Sequence, residues 1–160
     1  MGHEVIVHGI IVGPPDRKGT DQRRSLHELN REAIASLVGS EDDSWPWLNR
    51  SMFALPGPWP QGTYVGQVIH FGASIKDDAY ELTFKDLWLS KFEAVLRKLY
   101  WSSACVFIES DFGDKNIDWV PTEDAFSKMY DEQMPASNWS RREFSLVSLP
   151  DASLEGARGG

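Results

Sequence analysis

Glu4 to Val12 reads E-V-I-V-H-G-I-I-V and is closed by Gly13-Pro14-Pro15. Nine residues so rich in β-branched side chains, ended by a Gly-Pro-Pro stop, read as a strand in the middle of a sheet. Val5, Val7 and Ile11 fall on one face of it, and Ile6, Ile10 and Val12 on the other. A strand apolar on both sides is expected to be covered on both sides. That expectation frames the rest of the chain, because the two faces of this strand must each find a cover.

Downstream, Ser25 precedes Glu28 in a capping-box pattern, and Leu26, Leu29, Ala33 and Leu37 form a helical stripe with Gly39 as its stop. Met52-Phe53-Ala54-Leu55 reads as an edge strand between irregular stretches. Thr63–Ser74 reads as a further strand, with Gly66 and Gly72 suggesting a bulge or a close approach. Thr83 and Asp86 make a second capping box, with Leu82 and Leu87 as a staple. They open a helix over 84–101, apolar at Phe84, Leu87, Trp88, Phe92, Val95, Leu96 and Leu99, with Asp86, Ser90, Glu93 and Arg97 toward solvent. Ala104–Glu109 is a short strand, Trp119-Val120-Pro121 ends another extended piece, and Thr122 caps a short helix bearing Ala125, Phe126, Met129 and Tyr130. Phe144–Leu149 reads as a last edge strand. The order strand, helix, strand, strand, helix, strand specifies an α+β chain. We read it as a single-domain split βαβ (ferredoxin-like) sandwich over 1–150, with helices on one sheet face, a C-terminal extension and a disordered tail at 151–160.

The chain has 160 residues, enough to bury one core, and 41% of them are hydrophobic. Its net charge of −8 speaks against nucleic-acid or anionic-membrane binding through a generally basic surface. One cysteine, Cys105, excludes an intramolecular disulfide and a zinc-type cysteine cluster, and its apolar neighbours suggest a buried strand thiol. No apolar run is long enough for a membrane helix and the N-terminus has no secretory pattern, so a cytoplasmic protein is expected.

No phosphate loop, nucleophile elbow, dinucleotide fingerprint or His-based metal motif occurs, so no cofactor, metal or catalytic residue is assigned. His8 and His70 fall on strands expected to be neighbours. With Glu109 they define the alternative of a small metal-dependent or acid–base hydrolase. The densest signal is electrostatic. Between Glu109 and Glu132 eight acidic residues face only two lysines, a net −6 of the total −8. Glu109, Asp111, Asp114, Asp118, Glu123 and Asp124, with Trp119 as an aromatic anchor, are therefore the candidate surface for a basic protein partner.

The stretch Lys91–Glu109 (KFEAVLRKLYWSSACVFIE), with Tyr64-Val-Gly-Gln-Val-Ile-His-Phe-Gly72 and the Leu55-Pro56 loop, resembles small immunity proteins of bacterial polymorphic toxin systems. The similarity spans roughly residues 40–121. It implies a non-catalytic cytosolic α+β protein that neutralises a cognate toxin domain by occluding it, and it carries over no contact residue. A self-associating structural protein is the further alternative. It arises because helices on one face leave the other side of Glu4–Val12 to be covered by the C-terminal segment or by a second copy of the chain.

Overall fold

The computed structural model describes residues 3–15, 25–39, 47–54, 67–77, 81–111 and 113–146. Six strands and three helices follow one another as β1 (His3–Val12), α1 (Leu26–Ala35), β2 (Phe53–Ala54), β3 (Val68–Asp77), α2 (Glu81–Leu96), β4 (Ser103–Ser110), β5 (Asp114–Pro121), α3 (Glu123–Asp131) and β6 (Trp139–Leu146), with one 3-10 turn at Arg50–Met52. All strands lie in a single sheet of order β2-β3-β1-β4-β5-β6. Every neighbouring pair is antiparallel. The architecture is α+β, and the strand that opened the sequence reading runs through the sheet interior between β3 and β4.

Side chains alternate along each strand, so one face of the sheet collects Val5, Val7, Ile11, Ile69, Phe71, Ile75, Ala104, Val106, Ile108, Ile117 and Trp119, all buried. Leu26 and Ile34 of α1, Trp88, Phe92, Val95 and Leu96 of α2, and Met129 of α3 join them in one core. An aromatic relay crosses this core. Phe53 meets Phe71 at 5.6 Å, Phe71 meets Phe92 at 5.1 Å, and Phe92 meets Trp119 at 5.1 Å between ring centroids. Each fully buried tryptophan also satisfies its indole N–H: Trp88 donates to the Trp47 carbonyl, Trp101 to the Leu96 carbonyl and Trp119 to Glu93. Gly9 makes room for the relay. A Cβ there would lie 2.0 Å from the Cys105 carbonyl oxygen and 2.6 Å from the Phe71 ring, so only glycine lets β4 and Phe71 come so close.

At the end of the sheet where β1 stops and β3 and β4 start, a buried polar network replaces apolar packing. Asn30 is fully buried on α1. Its amide donates to the Tyr100 carbonyl at 2.8 Å and to Gln67 at 3.0 Å, while its oxygen accepts from the Tyr100 N–H at 2.7 Å. Gln67 donates to the His27 carbonyl, and its own carbonyl accepts from Gly13 N–H at 2.6 Å. The His27 ring, buried alongside, donates to the Pro14 carbonyl at 3.0 Å. Backbone groups that would be orphaned at three element ends are thereby paired.

Several element boundaries differ from the sequence reading. α1 stops at Ala35, four residues before Gly39, where the Ser36 hydroxyl donates to the Ala33 carbonyl and Ser36 N–H caps the last turn. The Ser25 side chain does not accept the capping bond, although Thr122 caps α3 as its sequence predicts. α2 begins at Glu81, so Thr83 is inside it, and it ends at Leu96 instead of residue 101. Its last turn tightens, and the apolar residues 99–101 continue into the core as a connection tied to Asn30. Leu87 is largely exposed, whereas Glu93 turns inward to accept from Trp119 and from Arg141 at 2.8 Å. Gly72 sits in unbroken register opposite His8, with no bulge. β6 starts at Trp139, five residues earlier than Phe144. The expectations for residues 16–24, 40–46, 55–66, 78–80, 112 and 147–160, the tail included, and for the side chains of Leu82 and Thr83, lie outside the described residues.

Two ion pairs fasten α2 to β6: Lys85 with Glu143 at 2.6 Å and Arg141 with Glu93 at 2.8 Å. The hydrogen bond from Lys85 holds the Glu143 carboxyl below its usual range, and the same bond raises the Lys85 ammonium above its own.

Replacing Asn30 with leucine is expected to cost at least about 3 kcal/mol in denaturant unfolding, because Tyr100 and Gln67 keep buried groups with no partner. Lys85→Met is expected to cost roughly 1 kcal/mol at pH 7. Glu143 is depressed in the fold, so its contribution is complete above the unfolded carboxylate pKa of about 4.3 and disappears as pH falls through the folded value. Lys85 is raised, so its contribution holds below about 10.4 and disappears as pH rises through the folded value. Thermal melts of both proteins across pH 2–11 should therefore differ inside that window and converge at both ends.

Candidate functional site

The three helices gather on one side, and the opposite side of the sheet is uncovered among the described residues. β1 presents Glu4, Ile6, His8 and Ile10 there, with Ile6 38% and Ile10 36% exposed. The registers arrange this face in rows. His70, Ile10, Cys105, Asp118 and Arg142 lie side by side across β3, β1, β4, β5 and β6. Gly72, His8, Phe107, Asn116 and Phe144 form the next row, and Ser74, Ile6 and Glu109 the one after it. Ile6, Ile10 and Phe107 lie on the central strands together with Glu4 and Glu109, and the flanking strands carry Lys76, Asp114, Asp118 and Arg142.

Specific contacts organise the centre. The His8 ring stacks on Phe107 at 5.2 Å between centroids, nearly parallel, and its Nε2–H reaches Glu109 Oε1 at 3.3 Å. Gly72, opposite His8, carries no side chain to crowd it. Ser74 donates to Glu4 across the β1–β3 pair. Cys105 Sγ lies 3.1 Å from Asn116 Oδ1 on the neighbouring strand. Burial first, and the Asp118 carboxylate beside it second, push the Cys105 thiol up to about 12. The thiol is therefore held neutral on this face and is a poor nucleophile.

The seven residues read from sequence as one docking surface separate in space. Glu109, Asp114 and Asp118 lie on the uncovered face along β4 and β5, with Asp111 in the turn that joins those strands. Glu123 and Asp124 start α3, beyond the other end of β5. Trp119 is fully buried beneath α2. It alternates with Asp118, so the strand that exposes the carboxylate turns the indole into the core, and Trp119 has no surface to offer a partner. The acidic stretch is largely strand and helix, as the extended piece ending at Pro121 and the Thr122 cap predict. Apolar residues of the open face that the charge argument passed over, Ile6, Ile10, Phe107 and the 45% exposed Phe144, stand next to those carboxylates. Period-2 alternation in Glu4–Val12 and Ala104–Glu109 is the signal that places Ile6, Ile10 and Phe107.

The histidine alternative divides as well. His8 and Glu109 meet, but His70 belongs to the row of Ile10 and stands diagonal to His8. Among the described residues no group of three His, Cys, Asp or Glu side chains is disposed to hold a metal ion. Likewise, no helix among them is long and apolar enough to cross a membrane. No protein-family model, no curated protein and no solved structure matches the chain.

The shielded thiol gives a direct check of this geometry. At pH 8 a disulfide-exchange reagent is expected to label Cys105 at least about 100-fold more slowly in the folded chain than in denaturant, since thiolate carries the reaction. Asp118→Asn should recover part of that rate and leave the melting profile nearly unchanged.

Proposed function

We propose that this chain is a non-catalytic protein-binding protein of the immunity kind, and that it occludes a basic partner, a toxin domain, with the uncovered face of its sheet. The observation that carries this reading is the composition of that face. Ile6 shares a row with Glu109 and Ile10 shares one with Asp118, the row between them carries Phe107 and Phe144, and Asp114 lies on the same face. Interfaces of this sort take their affinity from desolvated apolar and aromatic centres and their capture rate from charge complementarity. A net charge of −8 adds long-range attraction for a basic partner.

The order β2-β3-β1-β4, antiparallel throughout, supports the split βαβ (ferredoxin-like) description for the first four strands with α1 and α2. In that description β5, α3 and β6 are the C-terminal extension, and they widen the free face by two strands. A cytoplasmic site of action follows from the immunity role, since a producing cell needs protection where its toxin would act.

The test is co-expression with the products of the genes adjacent to this chain's own, read for a toxic one that this chain neutralises. Protection and co-purification are expected. The pair Asp114→Lys with Asp118→Lys is expected to weaken binding at least about 100-fold, since like charges at a contact both remove attraction and add repulsion. Glu123→Lys with Asp124→Lys, away from the face, should change it less than about twofold. Unimpaired binding by the first pair would remove the open face from the interface, and failure to protect would remove the immunity role.

A further inference from the structure

We infer that, without its partner, the chain closes the open sheet face with a second copy of itself, about a two-fold axis parallel to the strands and passing between β1 and β4. The inference rests on the docking reading of this face and supplies its regulation, since partner and second copy then compete for one surface.

The charge pattern selects this operator. The midpoint of the order β2-β3-β1-β4-β5-β6 falls between β1 and β4. A two-fold axis there keeps every row at its own level and exchanges β3 with β5 and β1 with β4. The β3 flank carries His70 and the exposed Lys76, and the β5 flank carries Asp118 and the exposed Asp114. Exchange therefore sets His70 over the second copy's Asp118 and brings Lys76 within a side chain's reach of its Asp114. In the centre His8 falls over Phe107 and Ile10 over Cys105. Each of these pairings occurs twice, as an isologous interface requires. Two sheets packed face to face at about 10 Å, within about 30° of alignment, leave room for such side chains to interdigitate.

Size decides the strength. Four central strands about 4.8 Å apart and eight residues long, at about 3.4 Å per residue, give a footprint of roughly 500 Å² per copy. A total near 1,000 Å² is at the floor of specific interfaces, so the pairing is weak and exchangeable, about 10 µM or weaker. Repulsion between two chains of net −8 is screened beyond about 8 Å at physiological salt and does not prevent it.

The experiment uses the full chain alone. Sedimentation equilibrium from about 5 µM to 1 mM should show a reversible monomer–dimer transition. Lys76→Glu places a carboxylate against the second copy's Asp114, and Asp114→Lys places an ammonium against its Lys76, so each variant alone should be monomeric with an unchanged circular dichroism spectrum. Mixing the two variants recreates opposite charges at both contacts and should restore a dimer containing one copy of each, as should the double variant by itself. A wild-type chain that stays monomeric to 1 mM overturns the inference and leaves the docking reading intact. A wild-type dimer with variants that dimerise alone, or do not rescue one another, overturns this arrangement. Loss of toxin binding in a chain that still dimerises would instead count against the docking reading.

Discussion

The carboxamide of Asn30 is the interaction on which the architecture turns. It grips both backbone groups of Tyr100 and one end of Gln67 from the dry side of α1. Tyr100 leads into β4, Gln67 leads into β3, and Gln67 in turn holds Gly13 at the end of β1. One side chain thus fixes where three adjacent strands begin or end relative to the helix above them. An apolar residue at this place would fill the space but leave at least three buried polar groups without partners, each costing about 1–3 kcal/mol. The second tie at this end comes from the extension: the Tyr130 hydroxyl donates to the Pro15 carbonyl, and the Tyr100 hydroxyl to the Gln133 carbonyl, both at 2.6 Å.

Once those ends are set, packing decides the rest. Gly9 permits Phe71 to cross β1, Phe71 meets Phe92 of α2, and Phe92 meets Trp119 of β5. The two strands added after β4 are consequently stitched into the same core as the first four. Glu93 completes the join, because a carboxylate on α2 accepts from both the Trp119 indole and the Arg141 guanidinium. One side of the sheet absorbs three helices in this way, and nothing described remains to cover the other.

The sequence made part of this legible. The double-sided apolar run at Glu4–Val12 located an interior strand, and the residues between Thr122 and Tyr130 announced a capped helix, because alternation and caps are local properties. The end of α2 was not legible: Leu99, Tyr100 and Trp101 are apolar like the helix before them, and contacts distant in sequence, the Tyr100 backbone with Asn30 and the Leu99 carbonyl with the Ala136 N–H, draw them out of it. β5 was legible only at its end, where Trp119-Val120-Pro121 reads as extended, and its start was hidden for another reason. Asp114, Asn116 and Asp118 point outward on a free face, so the strand looks polar and loop-like, while its inward half consists only of Ile117, Trp119 and neighbours. The same alternation explains the candidate surface. Net charge picks out a stretch of sequence, but charge carries no direction. The residue beside Asp118 proved to be a fully buried tryptophan.

β6 ends the sheet, and its character has a consequence for how this protein survives at high concentration. Eight residues of backbone at a sheet margin form a template onto which further chains can polymerise. Arg141, Arg142 and Glu143 interrupt that margin in its middle, and two of them are already engaged by α2 through Glu93 and Lys85. A stranger adding edgewise would have to break those pairs or bury their charges. Growth of the sheet past β6 is thus resisted. Charges tied into the fold at this edge stand against the strand-by-strand addition that builds fibres.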